Sequence, residues 1–203
     1  MGLYSRHILP TLIQFAMSQE DVMRLRAAHV PAARGVVLEV GIGPGLNLPL
    51  YSQAVTKLYG IDPSAELLAV AKKRLPAIAF PVELMQRAVG GIPLENASID
   101  TAVITWTLCS IDDPAAALRE VRRVLRTDGS LIFIEHGASP DNGVRAWQRR
   151  LTPIWKRLAG GCHLDRKIDD LVADAGFTTT NLKSGYIPGP RFATYMYEGR
   201  ARR

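Results

Sequence analysis

The sequence predicts a doubly wound α/β fold with a mostly parallel sheet, and three observations carry that prediction. Short apolar runs alternate with segments of helical period along the chain. The first such run breaks directly into a glycine cluster at 41–45. The last two extended segments follow one another with only a loop between them. Alternation implies parallel strands joined by helices on both faces of one sheet. The closing pair implies a hairpin, hence an antiparallel strand at one edge.

Each element follows from local pattern. Residues 4–18 place Ile8, Leu12, Phe15 and Ala16 on one helical face. A second helix over 20–29 ends before Pro31. Apolar runs at 36–40 and 57–61 read as buried strands, the second closed by Asp62-Pro63-Ser64. Ser64 is the expected N-cap of a helix over 65–75, stopped by Pro76. A weak strand at 81–84 and a stronger one at 101–105 follow. Asp113 and Pro114 open a helix to about residue 125, expected to end in the turn Thr127-Asp128-Gly129. Residues 131–135 form a strand, 144–158 and 165–175 helices, and 178–183 and 193–199 the final strands. One domain over 1–203 is expected, with residues 1–30 as its helical cap.

Bulk properties narrow the function. With 203 residues, 47% hydrophobic and 22% charged, the chain is an ordinary globular sequence. Net charge is +6, but the basic residues fall at helical spacing as solvated faces, so no nucleic acid is expected. Cys109 and Cys162 lie far apart and flank no metal-ligand pattern; neither a disulfide framework nor a metal is expected. Free thiols suit a cytoplasmic setting, and no apolar run reaches the roughly 18 residues that span a bilayer.

The glycine loop carries the chemistry. Gly41, Gly43 and Gly45 permit a tight turn and close approach of backbone to ligand after the first strand. Asp62, at the end of the second strand, can accept hydrogen bonds from both hydroxyls of a ribose. Together they point to an adenosine-containing ligand. A dinucleotide fingerprint would need glycine where Leu46 stands. Glu39, two residues before the loop, repels pyrophosphate but suits an ammonium and a sulfonium.

This E-x-G-x-G-x-G pattern resembles motif I of class I S-adenosylmethionine-dependent methyltransferases. Residues 92–100, and 118–133 around Arg122-Arg123-Val124-Leu125-Arg126-Thr127-Asp128-Gly129, resemble that family's segments around strands four and five. The resemblance implies a seven-stranded Rossmann-like sheet. It implies S-adenosylmethionine held by Glu39, Gly41, Ile42, Gly43, Gly45, Asn47, Asp62, Pro63, Thr105 and Trp106. Where that family usually offers adenine a polar side chain after strand three, this chain has Arg87-Ala88-Val89-Gly90-Gly91, so the backbone of Ala88 and Val89 is expected to meet adenine instead. The stretches 106–111, 135–137, 147–148 and 160–166, with Arg24-Leu25-Arg26, are similar to a narrower group acting on alkyl thiols and hydrogen sulfide, with bacterial relatives often labelled phospholipid N-methyltransferases.

The expected activity is therefore S-methylation of a small thiol, the alternative a phospholipid amine acceptor. His136 and His163 are candidate acid–base groups, with Glu135 orienting His136 or buried structurally. Cys162, Trp147, Tyr186 and Arg191 are candidates on the substrate side. For Trp147 and Trp155, eight apart on one helix, core packing is the favoured reading. Asp165 is expected to cap the next helix, and Cys109 either touches the cofactor's methionine end or is buried as a small apolar residue. The N-terminal helix fits a lid, a core element or a peripheral membrane contact, with lid or core favoured. No protein partner is called for.

Overall fold

The computed structural model describes residues 9–203. The helix expected over 4–18 is seen as α1 (Leu9–Met17), its first residues lying outside the described ones. Then follow α2 (Glu20–His29), β1 (Gly35–Val40), β2 (Val55–Asp62), α3 (Ala65–Lys72), β3 (Val82–Gln86), β4 (Ile99–Thr105), α4 (Pro114–Val124), β5 (Leu125–His136), α5 (Asn142–Leu158), α6 (Ile168–Asp174), β6 (Thr178–Tyr186) and β7 (Tyr195–Arg202).

The seven strands form one sheet in the order β3-β2-β1-β4-β5-β7-β6. The first five are parallel, while β7 runs antiparallel to both β5 and β6. The hairpin therefore sits at the sheet edge with its reversed strand on the inside. Strand order reverses between β1 and β4, the point where such sheets hold ligands beyond their strand ends.

Alternation along each strand feeds two apolar layers. Leu38, Ile104 and Phe133 bury on one side with Leu118 and Val121 of α4. Val37, Val103 and Ile132 bury on the other with Leu58 and Leu68. Both expected caps are present: the Ser64 hydroxyl accepts from the Leu67 amide (3.2 Å) and the Asp113 carboxylate from the Ala116 amide (2.8 Å).

Four expectations need correction. The helix over 65–75 stops at Lys72, a short 3₁₀ turn taking Leu75–Ala77. Leu125 already begins β5, because pairing with β4 resumes on both sides of 126–129, which loop out as a bulge. The helix after the second cysteine starts at Ile168, with Lys167 at its N-cap. Asp165 therefore does not cap it; its carboxylate instead accepts from Thr152 Oγ1 (3.3 Å). Trp147 is 58% exposed on α5 and is no core residue, whereas Trp155 is partly covered and meets Phe192 edge-on at 5.9 Å.

Candidate active site

At the carboxyl end of β1 the chain turns through Gly41 (φ 73°), Gly43 (φ 54°) and Gly45 (φ 75°). Their surroundings differ. A Cβ on Gly41 would lie 2.1 Å from Thr107 Oγ1, and one on Gly45 would meet Leu48 and Ala71. A Cβ on Gly43 would meet nothing nearer than the Gly41 carbonyl at 4.0 Å. That open side, beside a buried carboxylate, is the cradle of the site. Asp62 stands next to it, Oδ2 accepting from the Gly43 amide (3.0 Å) and Oδ1 from the Ser64 amide (2.8 Å). Burial pushes its carboxyl up, against those two bonds. Each oxygen keeps a lone pair for a hydroxyl donor. Ile42 is buried beneath the loop; Pro63 and Ala88 are exposed on its rim, and Val89 packs against the core.

Behind the loop lies a buried polar network. Glu39 is 1% exposed and accepts from Asn47 Nδ2 (2.7 Å) and the Tyr51 hydroxyl (2.9 Å). Burial raises its carboxyl from 4.5 to about 7, and the Tyr51 phenol is pushed well up by burial and by Glu39. Arg26 of α2 donates to Asn47 Oδ1 (2.7 Å) and Thr105 Oγ1 (2.8 Å), its guanidinium 4.6 Å from the Trp106 ring centre. Burial lowers it to about 10, opposed by Glu39. Its Nε is buried without an acceptor, so an anionic group arriving here would complete its hydrogen bonding. Trp106 itself adopts φ 51°, a conformation costly for a bulky residue.

Sequence reasoning did not place Arg26 or Tyr51 in the site. A signal for Arg26 existed: Val22, Arg26 and Val30 recur every fourth residue and all three are buried, so an arginine occupies an otherwise apolar stripe.

A second cluster sits at the ends of β4 and β5. Glu135 is fully buried and accepts from the backbone amides of Thr107 (2.7 Å), Leu108 (2.8 Å) and Cys109 (3.2 Å). Burial raises it while these amides pull it down. Its geometry is that of a carboxylate anchoring the turn after β4. His136, 5% exposed, brings Nε2 to 3.6 Å and Nδ1 to 3.8 Å of Cys162 Sγ. Cys162 Sγ in turn lies 3.8 Å from Cys109 Sγ. Burial pushes the imidazole down, but Cys109 and Glu135 outweigh it and the net direction is up. Contact with Cys109 holds the Cys162 thiol below its ordinary value against burial, and the Cys109 thiol is pushed well up.

Of the remaining candidates, His163 borders this cluster through its backbone, while Tyr186 and Arg191 are held elsewhere. The His163 backbone amide donates to the Cys109 carbonyl (2.7 Å), while burial and the cations Arg166 and Lys156 lower its imidazole. Tyr186 donates to Asp141 Oδ2 (2.7 Å), which also pairs with Arg191 (2.5 Å). These two fasten the 186–191 loop to the start of α5.

Comparison with known proteins agrees with this geometry. The family described as methyltransferase domain matches residues 38–133. A phosphatidylethanolamine N-methyltransferase of Cereibacter sphaeroides is 35% identical over 188 residues, covering 92% of this chain and 91% of that protein. The human thiol S-methyltransferase TMT1B is 31% identical over 157 residues, and 72% of this chain spans 62% of its length. In fold, the chain is similar to an S-adenosylmethionine-dependent methyltransferase of Thermotoga maritima, with TM-score 0.66 at 22% identity over 97% of this chain and 98% of that one. With an open glycine loop and a buried carboxylate beside it at the switch point of a seven-stranded sheet, the chain belongs to the S-adenosylmethionine-dependent methyltransferases and uses that cofactor.

Proposed function

We propose that the chain methylates the sulfur of a small thiol, such as hydrogen sulfide, methanethiol or an alkyl thiol. The observation that supports this best is the cluster of Cys109, His136 and Cys162 at the ends of β4 and β5. The neighbouring carboxylate, Glu135, already has its oxygens engaged by three amides. The other groups of the cluster are two sulfurs and one imidazole, a lining suited to a soft, readily ionised nucleophile.

S-Adenosylmethionine supplies an electrophilic methyl group on a sulfonium. The residues fit it: Asp62 accepts the ribose hydroxyls, and the 41–45 loop offers backbone amides with Gly43 giving access. Arg26 has an unsatisfied donor for the methionine carboxylate, and Glu39, with Asn47 and Thr105, sets a negative field for the cationic end. Ile42, Pro63, Ala88 and Val89 border the adenosine side, and Trp106 closes the floor. His136 sits beside the acceptor site and promotes ionisation of the acceptor, while Glu135 is a positioning residue. The purified chain is expected to methylate a thiol in the absence of lipid. Failure across a thiol panel, beside labelling of phosphatidylethanolamine vesicles, would reject this reading.

One observation favours the lipid amine as a second reading. On α5, Trp147, Ile154 and Leu158 are exposed in one stripe, flanked by exposed Arg150 and Arg157, a pattern suited to an anionic bilayer surface. Among the described residues no helix is long and apolar enough to cross a membrane. Co-sedimentation with anionic vesicles that is lost in Trp147→Ala would support this reading.

Glu39 gives a pH signature. Its carboxyl is raised to about 7, so its contribution to stability is complete below its unfolded value of 4.5 and lost as pH rises through about 7. A cationic ligand has the opposite preference and draws the proton off. Cofactor affinity is therefore expected to rise by up to about tenfold per pH unit between about 5 and 7. Calorimetry at several pH values checks this, and Glu39→Gln should flatten the slope.

A further inference from the structure

Cys109, His136 and Cys162 come from three separate segments, yet their sulfur and ring nitrogen atoms all lie within 4.8 Å of one another. Two of the spacings suit a tetrahedral metal ion. Around a tetrahedral zinc with Zn–S about 2.3 Å and Zn–N about 2.05 Å, two sulfurs stand about 3.8 Å apart and a sulfur and nitrogen about 3.6 Å. Cys162 Sγ lies 3.8 Å from Cys109 Sγ and 3.6 Å from His136 Nε2.

Main-chain contacts hold this arrangement. The three amides on Glu135 fix the turn that carries Cys109. The His163 amide on the Cys109 carbonyl (2.7 Å) ties the Cys162 loop to that turn. Gly161 (φ 88°) lets the same loop approach closely, since a Cβ there would lie 2.8 Å from the Ser110 carbonyl. His136 is set by the pairing of β5 with β7. Ligands fixed this way need little reorganisation to bind an ion.

We propose that Cys109, His136 and Cys162 bind a zinc ion, and that its open fourth position takes the acceptor thiol as a thiolate. Two cysteines and one histidine with a vacant position is a catalytic rather than a structural zinc set. Both ligand thiols give up their protons on metal binding. The acceptor's S–H bond then breaks, its proton goes to water, and its sulfur lone pair forms the S–Zn bond. Attack forms a new S–CH3 bond, the cofactor's C–S bond breaks with its electron pair kept on the cofactor sulfur, and the neutral methylated product, a poorer ligand than the thiolate, departs. Ionisation of the acceptor thereby passes from the imidazole to the cation. Cys162 is the one ligand that is not fully buried, so a small acceptor enters from its side.

This inference rests on the thiol reading, and direct metal analysis separates the two. The full chain, purified under reducing conditions and equilibrated with zinc chloride, is expected to retain one zinc per chain. Cys109→Ser, Cys162→Ser and His136→Ala should each weaken retention by more than the about 10–100-fold typical of outer-shell changes. Cys162→His, which keeps a ligand atom, should restore binding and covers the case in which the serine variant does not fold. Cobalt(II) in place of zinc should give a thiolate charge-transfer band that shifts with methanethiol and not with methanol. A folded chain that retains no stoichiometric zinc, or retains it equally in all three variants, overturns the proposal. So does undiminished thiol turnover by metal-free protein, which leaves the thiol reading standing. Zinc bound at these ligands without turnover of any thiol, and without a methanethiol-dependent band shift, overturns the fourth-position assignment and the thiol reading together.

Discussion

Gly43→Ala is expected to yield a folded protein that no longer holds its cofactor. The position has φ 54°, so a Cβ costs about 1–2 kcal/mol in backbone strain. The methyl itself meets no neighbour closer than 4.0 Å, so packing is not disturbed. What it fills is the open side of the cradle, where the ligand must approach the backbone. Cofactor affinity should fall by at least about 100-fold, or about 2.7 kcal/mol, while the melting temperature falls by about 2–8 °C from the backbone strain alone. Gly41→Ala is the contrasting case. Its Cβ would collide with Thr107 at 2.1 Å, in the turn anchored by Glu135, so the fold itself should suffer. Isothermal titration beside thermal melts separates the two outcomes. Retained binding in Gly43→Ala would contradict the placement of the cofactor.

Glu135→Gln is expected to be among the most destabilising single changes in the chain. The carboxylate satisfies three backbone amides at 2.7, 2.8 and 3.2 Å in a fully buried position. An amide side chain offers one oxygen and turns an N–H toward donors. Leaving buried amides unpaired costs about 3 kcal/mol in total, and at this chain length that lowers the melting temperature by about 6–12 °C. If Glu135 instead acted on the acceptor directly, turnover would collapse while the melting temperature stayed unchanged. Thermal melts and turnover on one preparation decide between a positioning and a chemical role.

Much of this was readable before any fold was known. The glycine loop and Asp62 are local signals, because a strand end, a turn and the next strand end lie close in sequence. The caps Ser64 and Asp113 are equally local, each satisfying an amide three residues ahead. What escaped depends on distance along the chain. Cys109 and Cys162 meet only because two loops are clamped together by a backbone bond; their spacing gives no hint of contact. The amides held by Glu135 lie across the β4–β5 boundary. The bulge at 126–129 hides behind a sequence that reads as a turn, because neighbouring strand pairing overrides local preference. Trp147 misleads for another reason: helical spacing identifies a face, and only packing decides whether that face is covered.

The placement of β7 between β5 and β6 has a kinetic consequence. A parallel sheet of five strands is complete in sequence by residue 136, yet one side of β5 stays unpaired until residues 195–202 exist. During synthesis that strand, with its uninterrupted apolar run Leu131-Ile132-Phe133-Ile134, waits as an open template. Closure brings together segments far apart in sequence, which slows the last step of folding. Aggregation of incomplete chains, more than of the finished protein, is the hazard this topology carries.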